Sequence, residues 1–306
     1  MIQSPLNYTG GKFRLLPQIL PKFPTNIHTF YDIFCGGFNV GSNVRAHRVV
    51  GVDKNPALIE LLAYIQSTPN LEQQIDQVIA MHGLSQSHLH GYPHYNTTSS
   101  KGLSAHNKPA FLRLRESYNH RKEPLLLLVL LIFAFNNQMR FNAKGNFNLP
   151  VGKRDFNARL RRKLELFQAR IEGDSFLCTD FRAMDLSTLS AKDFLYLDPP
   201  YLLGCASYNE NGGWSVGDEL DLLHFLKRAS HRSIQFALSN VIEHKGAKHS
   251  LLLEWCRAQR WHIHPLTYSY ANSSYQTKHK HAPSQEVLVT NYASLMGVGN
   301  RGLSGA

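Results

Sequence analysis

What the sequence is missing narrows its reading first. It has no long hydrophobic run: residues 125–135, 11 in all, are the longest, about half of the ~20 that a membrane-spanning helix requires. Residues 1–5 lack the basic-then-apolar pattern of a secretory leader. Only four cysteines occur, Cys35, Cys178, Cys205 and Cys256, and no two form a CxxC pair. That excludes a disulfide scaffold and predicts free thiols in a reducing cytoplasm. His88, His90 and His94, like His279 and His281, have no cysteine or carboxylate nearby to complete a tetrahedral set, so no metal is expected. A composition of 43% hydrophobic and 18% charged residues excludes a disordered chain.

Acid is scarce in one stretch in particular. Residues 101–170 hold 15 Lys+Arg against 4 Asp+Glu, while the remainder balances at 18 of each, so the whole excess of +11 sits in one central segment. A basic block inside a neutral chain reads either as a polyanion-binding surface or as a solvated helical face.

The pattern along the chain alternates strands and helices. Residues 27–34 read as a short buried strand, followed by the Gly-rich turn Cys35-Gly36-Gly37-Phe38-Asn39-Val40-Gly41. Residues 48–53 read as a second strand and 56–65 as a helix. This is the opening of a doubly wound parallel sheet. Residues 66–173 change character, with a loop-like stretch at 91–108, a buried helix over 125–135, an Asn-rich loop to 155 and a basic helix over 159–171. Strands resume at 176–178, 193–197, 233–238 and 286–290, with helices at 219–228 and 251–260. The Gly/Ser-rich end from 293 reads as a flexible tail.

Two constellations carry chemistry. The first opens at Asp32 and runs through Gly36 and Gly37, where glycines let backbone approach a ligand closely. Asp53 falls 17 residues after Gly36 at the end of the next strand, near the spacing at which a carboxylate accepts from ribose hydroxyls. The turn lacks GxGxxG spacing, so a nucleoside ligand such as S-adenosylmethionine fits better than a dinucleotide, and a plain tight turn stays the alternative. The second is Asp198-Pro199-Pro200-Tyr201, directly after the apolar strand Phe194–Leu197. Two prolines end a strand and leave free carbonyls at the sheet's carboxyl edge. A carboxylate, a carbonyl and an aromatic face in four residues suit a planar amine: two acceptors for its N–H groups and a ring to stack on.

With these residues in place, the sequence resembles the Dam-type DNA adenine methyltransferases, which move a methyl group from S-adenosylmethionine to the N6 of adenine in duplex DNA. Tyr8-Thr9-Gly10-Gly11-Lys12 resembles the family's N-terminal cofactor motif. Residues 32–41 resemble its Gly-rich turn, Asp180-Phe181 its acidic-aromatic pair beside the cofactor's adenine, and residues 198–201 its catalytic tetrad. The stretch from Asn137 through Arg140, Asn142, Lys144, Gly145, Phe147, Asn148 and Pro150 to Gly152 is similar to its target-recognition loop. Position 7 is Asn where some members carry a basic residue, and Lys153-Arg154-Asp155-Phe156 replaces the Arg-Tyr-Lys of GATC-specific members.

The resemblance implies an α/β, Rossmann-like methyltransferase fold with a mixed, mostly parallel sheet and an inserted, mainly helical target-recognition domain. Residues 1–65 and 174–292 are expected to form the catalytic domain and 66–173 the DNA-binding domain. Asp198, Pro199, Pro200 and Tyr201 are the expected catalytic residues. Tyr8, Lys12, Asp32, Gly36, Gly37, Asp53, Asp180, Phe181 and Asp198 are the expected contacts to S-adenosylmethionine. Asn137, Arg140, Asn142, Lys144, Asn148, Pro150, Lys153 and Arg154 are expected on DNA, with the helix over 159–163 on phosphates. The expected partner is double-stranded DNA, with GATC the first target to consider. A separate restriction endonuclease accompanies it in a restriction-modification reading, and a monomer with no membrane attachment is expected. Two rivals stay open: an amino-methyltransferase acting on RNA or protein, and a non-catalytic DNA-binding relative.

Overall fold

Branched and aromatic runs build the strands: β1 (Thr29–Ile33), β2 (Arg48–Asp53), β3 (Ser175–Cys178), β4 (Phe194–Leu197), β5 (Gln235–His244), β6 (Ala247–Lys248), β7 (His262–Leu266) and β8 (Ser284–Thr290). The helices are α1 (Leu16–Ile19), α2 (Pro56–Ser67), α3 (Leu71–His82), α4 (Ser87–His90), α5 (Ser104–Arg121), α6 (Pro124–Phe133), α7 (Ala158–Arg170), α8 (Val216–His231) and α9 (Ser250–Gln259). This computed structural model describes residues 1–8, 10–203, 213–267 and 284–293. Thr9, Cys205, the His279/His281 pair and the tail from 294 lie outside the described residues. By compactness the chain divides into two units.

The sheet unit comprises Lys12–Cys35, Val44–Lys54 and the residues from Thr179 onward. Its strands run in the order β2-β1-β4-β5-β8-β7, with β6 paired to β5. The β2-β1-β4-β5 half is parallel, and β5-β8-β7 is antiparallel. One face buries Val50, Leu195, Leu197, Phe236 and Leu238 in a core with Leu222, Phe225 and Leu226 of α8. On the other, Phe30, Phe194 and Tyr196 stack along neighbouring strands, and Phe23 tilts against all three. Strands buried on both faces read as continuous apolar runs, which is why 194–197 was legible as sequence. Helix α8 exceeds its expected span because Ser215 and Asp218 form a reciprocal capping box, at 3.1 and 2.8 Å. Strand β7 was not expected: it is a His-rich edge strand that tolerates Pro265 because one side needs no ladder partner.

The helical unit comprises Met1–Gly11, Gly36–Asn43 and Asn55–Cys178. Its centre is α6, packed against α2, α3 and α5. Eight of its ten residues are buried, which explains why it is apolar on every side rather than along one stripe. Helix α3, also not expected, ends on Gly83 at φ 71°, a left-handed stop that glycine takes without strain. The expected loop over 91–108 is shorter than its composition implied. Helix α5 already starts at Ser104, because Asn107 exchanges hydrogen bonds of 2.8 and 2.9 Å with buried Ser85.

Candidate active site

In the sheet unit, β1 lies between β2 on one side and β4 on the other. The winding reverses at that pair, and open α/β sheets bind ligands at the carboxyl ends of the strands at such a point. Ile33 pairs with Leu197, and the Asp198 amide donates to the Ile33 carbonyl at 3.3 Å. Asp198 therefore leaves β4 at the carboxyl edge, and Pro199 and Pro200 prevent the strand from continuing.

Three side chains converge on Asp198. The Lys12 ammonium, from a single 3-10 turn over Lys12–Leu15, lies 2.9 Å from Asp198 Oδ1 and 3.4 Å from Glu286 Oε1. The Tyr201 hydroxyl lies 2.8 Å from Glu286 Oε1 and 3.1 Å from Asp198 Oδ1, positioned to donate to either. Lys12 Nζ also stands 5.0 Å from the centre of the Tyr201 ring. Lys12 is 5% exposed, Glu286 7% and Asp198 18%, so Asp198 is the most open of the three charges.

Glu286 reaches this edge through topology. Strand β8 is antiparallel to β5, with Glu286 opposite Val241, so the start of β8 meets the end of β5. Burial pushes the Asp198 carboxyl above the ordinary aspartate range against the pull of Lys12, and Glu286 adds to the rise. Burial works to lower the Lys12 ammonium, but Asp198 and Glu286 outweigh it and hold its pKa above the ordinary lysine value. Burial and then the two carboxylates raise the Tyr201 phenol well above its usual range, so it stays a neutral donor. From the sequence, Glu286 reads as the start of a late strand motif of the resembled family but is given no role in the site, and the Tyr201 hydroxyl is given none either. The one signal was an acid at the head of an otherwise apolar strand.

Asp32 is buried within β1, and Asp53 ends β2. Burial, then these two carboxylates, push the Cys35 thiol well above its usual range, so Cys35 is a packed residue rather than a nucleophile. Cys35, Cys178 and Cys256 are free thiols. Asp180 caps a short 3-10 turn through the Arg182 amide at 2.9 Å, and Arg182 also reaches Asp218 and Asp221 at 2.6 and 2.7 Å. Phe181 is 2% exposed, packed on Phe34, Trp214 and Phe225.

In the helical unit, the Tyr8 ring lies over Gly36, where a Cβ would come within 2.9 Å of it, and a Cβ on Gly37 would come within 2.8 Å of the Leu6 carbonyl. Both positions need glycine for close packing against residues 6–8. Asn7 donates to the Asn136 carbonyl at 2.6 Å.

The segment from Ala134 to Gly152 is a closed loop. Gly152 donates to Phe133 O at 2.6 Å and Phe135 to Pro150 O at 2.9 Å, and a Cβ on Gly152 would come within 2.5 Å of Ala134 O. Asn137 donates to the Leu131 and Ile132 carbonyls at 3.0 and 2.7 Å, capping the end of α6. Asn142 accepts from the amides of Lys144 and Asn146, both at 3.0 Å. Arg140 Nε donates to Asn148 Oδ1 at 2.8 Å. Lys122 at the end of α5 donates to the Gly145 carbonyl at 2.7 Å.

Arg140, Lys144, Pro150, Lys153 and Arg154 are exposed, while the next residue, Asp155, is buried and accepts from Ser85 and Ser87. The basic helix α7 is only partly a solvated face. Arg161 sits 4.1 Å from the centre of the Phe156 ring and pairs with Glu72 and Asp76, so its charge is engaged within the unit. Among the described residues no group of three His, Cys, Asp or Glu could hold a metal ion, and no described helix is long and apolar enough to cross a membrane.

Comparison with known proteins adds to this geometry. A family model described as D12 class N6 adenine-specific DNA methyltransferase matches residues 8–271. Modification methylase StsI of Streptococcus sanguinis is 41% identical over 95% of this chain and 43% of its own length. Type II methyltransferase M.FokI of Planomicrobium okeanokoites is 40% identical over 96% and 43%. A DNA adenine methylase of Haemophilus influenzae is 26% identical over 64% of this chain and 63% of its own. The chain thus spans less than half the length of the first two relatives.

Proposed function

The chain belongs to the D12 class N6 adenine-specific DNA methyltransferase family, and from that membership we propose that it methylates the exocyclic N6 of an adenine within a short site in duplex DNA. The observation that carries this reading is the Asp198–Tyr201 turn at the sheet's winding reversal, with Asp198 held by Lys12 at 2.9 Å and by Tyr201 at 3.1 Å.

S-adenosylmethionine, when bound, supplies a methyl group already activated on a sulfonium. The donor set of the sheet unit fits it. Asp32 of β1, Asp53 at the end of β2, Asp198 after β4 and Glu286 near the start of β8 bring carboxylates toward one edge of the sheet, with Lys12 beside the last two, a chemistry suited to a ligand that carries positive charge and ribose hydroxyls. Asp53 takes the ribose hydroxyls, Asp32 and Asp198 the charged end, and Asp180 and Phe181 border the adenine. Tyr8, Lys12, Gly36 and Gly37 complete the set on the strength of the sequence motifs.

Catalysis needs alignment and a polarised amine. Asp198 and the Pro199 carbonyl accept the two N–H groups of N6, localise its lone pair and stabilise the positive charge that develops there. The proton leaves to solvent after transfer. The base must leave the helix first, at a cost of a few kcal/mol, and stacking on Tyr201, at about 1–3 kcal/mol, returns part of that.

Target reading falls to residues 66–173, with 1–65 and 174–292 carrying cofactor and chemistry. This division follows role, whereas the helical unit follows compactness. Within it, Arg140 reads a base, with Asn137, Asn142, Asn148 and Pro150 shaping the loop that presents it. Lys144, Lys153 and Arg154 contact phosphate. The names of StsI and M.FokI support a place in a restriction-modification system beside a separate endonuclease, within the cytoplasm. GATC enters as one member of a panel of adenine sites, because identity to the named modification methylases exceeds that to the DNA adenine methylase.

The test is transfer of labelled methyl groups to duplex DNA, single-stranded RNA and protein in parallel, with nucleoside analysis of the product. Label is expected in N6-methyladenine of duplex DNA. Label in RNA or protein favours the amino-methyltransferase rival, and tight DNA binding without transfer favours the non-catalytic relative.

A further inference from the structure

We propose that Glu286 is a positioning residue for the reaction: it holds the Lys12 ammonium and the Tyr201 hydroxyl on one oxygen of Asp198, so that the other oxygen is kept for the substrate amine. The inference rests on the methyl-transfer reading above.

Both contacts to Asp198, from Lys12 at 2.9 Å and Tyr201 at 3.1 Å, fall on Oδ1. Both donors also reach a single oxygen of Glu286, Tyr201 at 2.8 Å and Lys12 at 3.4 Å. A phenol has one proton to give, so the Tyr201 hydroxyl, within reach of both carboxylates, is shared between Glu286 and Asp198 Oδ1. An ammonium with three donors is drawn toward two carboxylates at once. Without Glu286, the Lys12 ammonium loses one of the two carboxylates that draw it and is pulled further over Asp198, toward both of its oxygens, and the Tyr201 ring loses the anchor that sets its plane. With Glu286 in place, Oδ2 of Asp198 is left to accept from N6.

Glu286 also carries charge. Asp198 and Glu286 against Lys12 leave a net negative cluster at the point where positive charge develops on N6, and fixed charge in a dry site stabilises a transition state without reorganising. Among the described residues, the groups facing Asp198 are Lys12 from the 3-10 turn, Glu286 from β8, Tyr201 from the turn after β4, and Tyr196 of β4, whose hydroxyl is hydrogen-bonded to that of Ser239 of β5 at 2.7 Å. Asp32 of β1 bears on the same phenol. Of these, Glu286 is the acid joined to Asp198 through shared donors, so it is the one whose loss most lowers the Asp198 pKa.

The experiment compares Glu286→Gln and Glu286→Asp with the unaltered protein in methyl transfer to duplex DNA, with a pH profile and the emission of 2-aminopurine placed at the target adenine. Glu286→Gln keeps the shape and removes the charge. Its kcat is expected to fall about ten- to hundredfold, the size of one lost charge-assisted hydrogen bond, with KM for S-adenosylmethionine little changed. Asp198 must be ionised to accept N6–H, so activity falls as the pH drops through its pKa. Removing the like charge lowers that pKa and moves the acid limb to lower pH. The 2-aminopurine emission changes because the ring no longer stacks in a fixed plane.

Glu286→Asp keeps the charge one methylene short. It is expected to leave the acid limb in place and still lower kcat, and it decides the question if Glu286→Gln does not fold. Wild-type kcat in Glu286→Asp together with a wild-type acid limb in any folded Glu286→Gln overturns the role. A fall in kcat with an unmoved limb and unchanged emission in Glu286→Gln also overturns it, since that is a structural loss alone. An unaltered protein that transfers no methyl to duplex adenine removes the reading beneath and this role with it. An active parent with indifferent variants removes this role only.

Discussion

The carboxyl edge of the sheet and the loop from Ala134 to Gly152 are held by opposite means. At the sheet edge, buried charges from three distant parts of the chain meet, and Tyr201 and Glu286 are 85 residues apart. In the loop, most bonds are short in sequence: Asn137 to residues five and six before it, Asn142 to residues two and four after it, Arg140 to Asn148 eight on. Helix α5 adds support through Asn119, which donates to Phe147 O at 3.2 Å and accepts from its amide at 2.7 Å. The first arrangement holds charges in fixed, largely buried places, which suits the proposed step because that step develops charge. The second makes a stiff, exposed hairpin whose polar tips are open to a large partner. Under the proposed function, the difference predicts that losses at the edge fall on chemistry, while losses in the loop fall on recognition.

The sharpest way to break this contrast is Asp198→Ala. Methyl transfer is expected to drop about a hundredfold or more, with the protein soluble and duplex DNA still bound. Single-turnover transfer beside a gel-shift titration measures both. Activity above about a tenth of wild type, set against the loss typical of such a group, takes Asp198 out of the catalytic role and blurs the line between the two regions.

A smaller effect is expected from Arg140→Ala. It loses about 1–3 kcal/mol of discrimination at one base pair, with transfer to the cognate site retained. Asn148→Ala shifts discrimination in the same direction by less, because Arg140 Nε then loses its 2.8 Å acceptor. Methylation of cognate and singly altered duplexes reads this directly. An even fall on all of them makes Arg140 a phosphate contact and turns the loop into a positioning element.

The smallest effect belongs to Lys153→Gln. It weakens binding to every sequence alike and lowers the slope of affinity against salt by about one. Affinity measured across a salt series checks it. Arg161, tied to Glu72 and Asp76, is the internal control: Arg161→Gln leaves the slope unchanged, so the basic segment separates into charges that face a partner and charges that hold the unit together.

Some of this was decided by the sequence alone. The four-residue strand before Asp198, the two prolines that end it, the glycines after β1 and the balance of 15 basic to 4 acidic residues in 101–170 are local or compositional. They depend on propensity, ring constraint and charge, which act over a few residues and survive as pattern. The order of motifs that identified the family is of the same kind. Tertiary structure decided the rest. It turned Asn137 into a cap for α6, engaged Arg161 within the helical unit and buried Phe181 among aromatics. It began α5 inside an apparent loop by pinning Asn107 to Ser85, and it brought Glu286 to Lys12 and Tyr201 by running β8 antiparallel to β5. Which buried donor meets which acceptor is set by strand order and register, and these follow from the packing of the whole sheet, so no window of neighbouring residues contains them.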